Sequence, residues 1–110
     1  MYDYSMLPEH MQSAARRYIE EGELPGHFLF AVLSNNLMEA ASRADDVNQV
    51  SLHTWASWMY NEIPGSAHGS REEVLMYATK VRAARKVERE DVEKEVAQDL
   101  EARGEGEANG

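Results

Sequence analysis

The chain has 110 residues, 20 acidic against 11 basic for a formal charge of −9, and no cysteine. That length fits one domain. The composition excludes a disulfide framework and a thiolate zinc site, and the charge opposes general binding to phosphate backbones or anionic lipid, so no direct nucleic-acid partner is expected.

Met1-Tyr2-Asp3-Tyr4 lacks the basic and apolar regions of a signal peptide, and no apolar run approaches the ~18 residues of a membrane span. A cytoplasmic protein with no membrane partner is the expectation. Leu7-Pro8-Glu9 then reads as a helix start, with Pro8 at the first helical position and an acidic group near the positive end of the helix dipole. Met11, Ala14, Ala15, Tyr18 and Ile19 recur at helical spacing, Arg16, Arg17, Glu20 and Glu21 face water, and Gly22 closes the element.

Leu24-Pro25-Gly26 breaks the chain. Phe28 to Leu33 is apolar on every side, and Leu37, Met38, Ala40, Ala41 and Ala44 continue the helical interval, which predicts one buried central helix over 27–43. Asp45 or Asp46 can cap a third helix whose apolar positions Leu52, Trp55, Ala56, Met59, Tyr60 and Ile63 fall three and four apart. Trp55 is expected in the core; Trp58 falls off that stripe and is expected to be exposed. Pro64 to Gly69 reads as a loop with almost nothing to pack.

Ser70-Arg71-Glu72-Glu73 fits a capping box and predicts the start of a fourth helix, with Val74, Leu75, Ala78 and Val81 on its apolar face. Beyond Arg85 the sequence is mostly charged, and Val92, Val96 and Leu100 form a thin seam for a helix that projects or pairs with another chain. Residues 104–110 are expected to be disordered by composition. The fold expected is therefore all-α: a compact bundle of about four helices over 1–85, and a charged helical or disordered tail over 86–110.

Chemistry-bearing signatures are few. The four histidines, His10, His27, His53 and His68, show no i,i+4 pair, so neither a metal nor a cofactor is expected; His68, in its glycine-flanked loop, stands out from the others. The chain shows no catalytic triad spacing, P-loop or dinucleotide fingerprint, and the paired carboxylates Asp45-Asp46 and Glu72-Glu73 suit helix N-termini, so a non-enzymatic protein is expected. Asn35, Glu39 and Arg43 would form one polar stripe on the central helix, and two asparagines in mid-helix call for compensation. That stripe reads either as an internal Glu39–Arg43 pair or as the wall of a ligand pocket. Across from it, the loop before the fourth helix brings backbone amides, a hydroxyl and a guanidinium at Gly69-Ser70-Arg71, a setting that favours an anion and equally serves as a capped helix connection.

From Leu24-Pro25-Gly26-His27-Phe28-Leu29-Phe30-Ala31-Val32-Leu33-Ser34-Asn35-Asn36-Leu37-Met38-Glu39-Ala40, through Arg43-Ala44-Asp45, Asn48 and Tyr60-Asn61-Glu62-Ile63-Pro64 to Gly69-Ser70, the chain resembles a family of small tailed-bacteriophage proteins with no assigned activity. The likeness covers roughly residues 7–80. It departs where most members have Asn-Asp-Leu and this chain has Asn35-Asn36-Leu37, and where they have Trp or Cys-Trp before the Gly-Ser and this chain has Ala67-His68. The resemblance implies an accessory or counter-defence protein acting in the host bacterial cytoplasm.

The leading expectation is that such a protein binds and sequesters a small anionic, nucleotide-like ligand through Asn35, Arg43, Tyr60, Asn61, Gly69, Ser70 and Arg71. The alternatives are an acidic inhibitor that clamps a host defence or nucleic-acid-binding protein, and a structural component that forms a homo-oligomer through the seam.

Overall fold

Pro8 is the N-cap residue of α1 (Glu9–Arg16), one position earlier than expected, and its missing N–H costs nothing there. In the computed structural model the backbone is described for residues 2–109 and the side chains for residues 2–100. α1 widens into a π turn over Arg17–Glu21 and ends at Gly22, whose φ of 72° is the left-handed conformation that glycine adopts without a Cβ penalty. Ala15, Tyr18 and Ile19 are buried on the predicted stripe, but Glu20 is half-buried and its Oε2 lies inside.

The expected central helix is two helices. α2 (His27–Leu33) and α3 (Leu37–Arg43) are separated by Ser34-Asn35-Asn36. Asn35 sits at φ 61°; its amide donates to the Val32 carbonyl (3.1 Å) and the Asn36 amide to the Ala31 carbonyl (2.9 Å), the pair of bonds that closes a helix with a left-handed residue. The Asn36 side chain then accepts from the Glu39 amide (3.2 Å) and caps α3. The compensation that two mid-helix asparagines call for is thus the break itself.

The third predicted helix is also divided. Asp45 caps α4 (Asp46–Val50) by accepting from the Asn48 amide (2.8 Å), and the chain turns at Ser51 into α5 (Leu52–Asn61). That turn aims Asn48, rather than Val47 or Val50, into the body: the asparagine is buried and the two valines are exposed. The Asn48 Oδ1 accepts from the Trp55 indole N–H at 3.1 Å, which satisfies a donor that would otherwise be stranded in the core.

Trp58, expected at the surface, is fully buried, because the segment before α1 folds over it: its indole N–H donates to the Asp3 carbonyl (2.9 Å) and Tyr4 packs at 6.0 Å between ring centroids. The loop after α5 holds a 3-10 turn over Gly65–Ala67, and it does pack. Ala67 is buried, and its carbonyl accepts from the Tyr18 hydroxyl at 2.7 Å.

α6 (Arg71–Asn109) starts as predicted, the Ser70 hydroxyl accepting from the Glu73 amide (3.1 Å). Its first turns dock on the π turn, where Tyr77 donates to the Ile19 carbonyl (2.7 Å) and Gly22 lies against the α6 backbone at Ala78. Among the described side chains every buried apolar residue lies between Tyr4 and Ala78, and from Arg82 to Leu100 all are exposed. α6 sets the 67 Å long axis of a molecule otherwise 27 by 22 Å. Its backbone is helical through 104–109, where composition predicts disorder, since a nucleated helix gains one hydrogen bond per added residue; Gly110 lies outside the described residues. The architecture is all-α, and no described helix is long and apolar enough to cross a membrane.

Candidate groove between α2, α3 and the head of α6

A concavity of about 500 Å³ opens between the Leu24-Pro25-Gly26 link, α2, the start of α3 and the start of α6. Its position follows from the local chemistry. Pro25 and Gly26 turn the chain into α2, the asparagine break folds α3 back, and the Gly69 amide donates to the Leu33 carbonyl (2.8 Å), which ties the loop before α6 to the end of α2. That tie places the Arg71 guanidinium 5.6 Å from the centroid of the Phe30 ring, in cation–π range on the groove wall.

The floor is apolar, from Leu24, Phe30, Ala31 and Leu75, with His27, Ser34, Asn36 and Glu39 supplying polar groups around it. The Ser34 hydroxyl oxygen is buried and has no hydrogen-bond partner among the described residues. Glu39 is paired with Arg43, Oε1 to Nε at 2.8 Å, and among the described residues Arg71 on the wall has no ion-pair partner. An apolar, partly aromatic floor with one such cation suits a small ligand that combines a ring with an anionic group.

Of the seven residues singled out from the sequence, the fold brings one, Arg71, into this groove. Gly69 and Ser70 adjoin it as the tie to Leu33 and the cap of α6. Arg43 stands behind it, engaged with Glu39. Asn35 lies across the α2–α3 break, on a smaller crevice of about 130 Å³ against Trp55 and Met59. Tyr60 is almost wholly exposed on α5, and the Asn61 side chain donates to the Ser57 carbonyl of its own helix (2.9 Å). Neither lines the groove; the aromatic ring on it is that of Phe30.

Phe30, His27 and Ser34 are groove residues that the sequence reading passed over, whereas Asn36 was weighed there as one of the two mid-helix asparagines. A signal existed: His27, Phe30 and Ser34 fall at i, i+3 and i+7, a stripe with polar ends on a helix otherwise apolar all round. Elsewhere His10 lies 2.9 Å from Asp45, and the Asn48 amide, then His10, hold that carboxyl below its ordinary value. Among the described residues no three His, Asp or Glu side chains converge on a common point. Comparison with protein-family models, characterised proteins and solved structures finds no match to the chain.

Proposed function

We propose that the protein is a non-enzymatic binding protein that takes a small, ring-bearing anionic ligand of nucleotide type into the groove between α2, α3 and the head of α6. Arg71 over Phe30 is the observation that carries this reading. The guanidinium meets the anionic group, the Phe30 face and Leu75 receive the ring, and Ser34 and Asn36 offer hydrogen bonds. With the phage likeness of residues 7–80, the reading becomes sequestration of a nucleotide-like signal in the bacterial host, a counter-defence role.

The test is titration of the full chain with linear and cyclic nucleotides, followed by thermal shift and by amide resonances. Ligand at about a hundredfold excess over its dissociation constant raises stability by roughly 2.7 kcal/mol, which a melt reads directly. The resonances of Phe30, Ser34 and Arg71 shift, and Arg71→Ala weakens binding by about tenfold or more, since loss of a charge-assisted hydrogen bond costs roughly 1.5–3 kcal/mol, while lowering apo stability by no more than about 1 kcal/mol for the lost contact with Phe30. A panel without a shift, or equal binding by Arg71→Ala, overturns the reading.

A second reading, an acidic inhibitor clamped on a basic host protein, draws on the net charge of −9 and the exposed outer part of α6. Deleting residues 86–110 separates the two, since it removes that surface and spares the groove.

A further inference from the structure

The most exposed large apolar side chains of the described residues are Leu37, Met38, Val50 and Tyr60, at 69–87%, and all four fall within α3 to α5; elsewhere none passes 59%. Apolar exposure gathered on one stretch marks an interaction surface. Between α3 and α5 lies the crevice of about 130 Å³ on which Asn35 sits, floored by Val32 and Trp55 and lined by no ionisable side chain. Leu37 on α3 and Leu52 on α5 line it from its two sides, and each starts a row of the same spacing. Ala41 and Ala44 follow Leu37 at four and seven residues, and Ala56 and Met59 follow Leu52 at the same steps. Leu37, Ala41 and Ala56 are exposed and Ala44, Leu52 and Met59 half-buried, so both rows are open. Two neighbouring helices with matching apolar rows, and no described element laid across them, form the seat that a third helix fills by packing its ridge into their groove.

The charges around this seat select the occupant. From Leu37 to Glu62 the charged side chains are Glu39, Asp45, Asp46 and Glu62 against Arg43 alone, and Glu39 already holds Arg43 at 2.8 Å. Asp45 and Asp46 directly follow Ala44, and Glu62 lies three residues beyond Met59, so acid stands where each row ends. A second copy of this chain, itself at −9, would bring acid to acid, and an anionic membrane surface is repelled in the same way. The crevice also falls short of the roughly 300–1,000 Å³ of small-ligand pockets, but it has room for one apolar side chain as an anchor.

We infer that the α3–α5 face is a docking site for a basic amphipathic helix of a partner protein. That helix seats one large apolar side chain in the crevice over Trp55, lays its apolar stripe along the two rows, and turns lysines and arginines toward Asp45, Asp46 and Glu62. Met38, three residues before Ala41, and Tyr60, four after Ala56, adjoin the rows and widen the apolar surface. Asn36 is the one residue that borders both this crevice and the groove beside α6, and the inference does not rest on the ligand proposed for that groove.

The probe is a synthetic peptide of about four helical turns, with leucines at helical spacing and lysines between them, and a twin in which glutamate replaces lysine. Each is titrated into the isotope-labelled full chain at about 0.15 M NaCl, where long-range attraction between exposed charges is screened. The lysine peptide is expected to shift the resonances of Leu37, Ala40, Ala56 and Met59, and the glutamate twin to shift none at about 1 mM. Leu37→Lys and Ala56→Lys change exposed side chains; each is expected to weaken the lysine peptide about tenfold or more and to leave the thermal melt in place. No shift with about 1 mM lysine peptide overturns the proposal, as does equal binding of the two peptides or undiminished binding by both variants. Shifts confined to the outer part of α6 overturn it by showing attraction to acid alone. Sedimentation of the chain without peptide is the last arm: a monomer is expected, and a dimer that Ala56→Lys dissociates overturns the proposal by showing that a second copy covers this face.

Discussion

Asn48 shows how much a single side chain can decide. Residue type alone would put Val47 and Val50 inside and the asparagine out, yet the Trp55 indole in the core needs an acceptor and Asn48 supplies it at 3.1 Å. Asn48→Ala leaves that N–H buried without a partner, so the variant is expected to lose about 1–3 kcal/mol in urea unfolding. A loss under about 0.5 kcal/mol, typical of a surface change, would show that the indole finds another acceptor. At this scale the sequence was least legible. Trp58 is placed by a partner distant in sequence, the Asp3 carbonyl 55 residues away, and Asn48 by the turn at Ser51 that brings the Trp55 indole onto it; helical periodicity carries neither kind of information. The Ser70 cap was legible because it is local, set by the start of a helix three residues before Glu73.

Elements were read more reliably than their continuity. The positions of α1, α5 and the start of α6, the breaks at Pro25-Gly26 and Pro64, and the closure at Gly22 all follow from punctuation and spacing. The divisions at Asn35 and Ser51 do not, because a pattern of apolar residues at helical intervals survives a sharp turn if both halves still face one core. Gly22 also shows an element-scale constraint hidden behind a familiar signal. A Cβ there would meet the Ala78 carbonyl oxygen at 2.5 Å and the Arg82 Cγ at 2.9 Å, on top of the left-handed backbone. Gly22→Ala is therefore expected to cost about 3 kcal/mol or more, by strain and by displacement of α6 from the π turn. Gly26→Ala, with nothing within 4 Å and an extended backbone, is the matched control and should stay near neutral in the same chemical denaturation. Equal costs for the two would mean that α6 does not rest on Gly22.

For the whole molecule, the all-α class and the confinement of the core to the first three quarters were both readable from where apolar residues stop. The groove was readable in place, beside the head of α6, but not in membership, since that depended on which way α3 folds back. The meeting of α1, the π turn and α6 carries a pH dependence. Burial raises the Tyr4, Tyr18 and Tyr77 phenols above their ordinary value, reinforced at Tyr4 by the Glu20 carboxylate. All three are neutral in both states at neutral pH. As pH rises past about 10 the unfolded chain ionises first, so stability is intact below that pH and falls above it. Tyrosinate absorbance and loss of far-ultraviolet circular dichroism should then rise together on alkaline titration; full ionisation with the helical signal intact would refute this linkage.

Both tryptophans lie in the body, fully buried and edge to face at 5.8 Å, while α6 accounts for 39 residues of helix and carries no tryptophan. Indole fluorescence is consequently an optical gauge of the body alone, whereas ellipticity sums the body with an outrigger that has no core of its own. Curves from these two probes separate for a geometric reason, and their separation measures how independently the outrigger melts rather than the population of a folding intermediate.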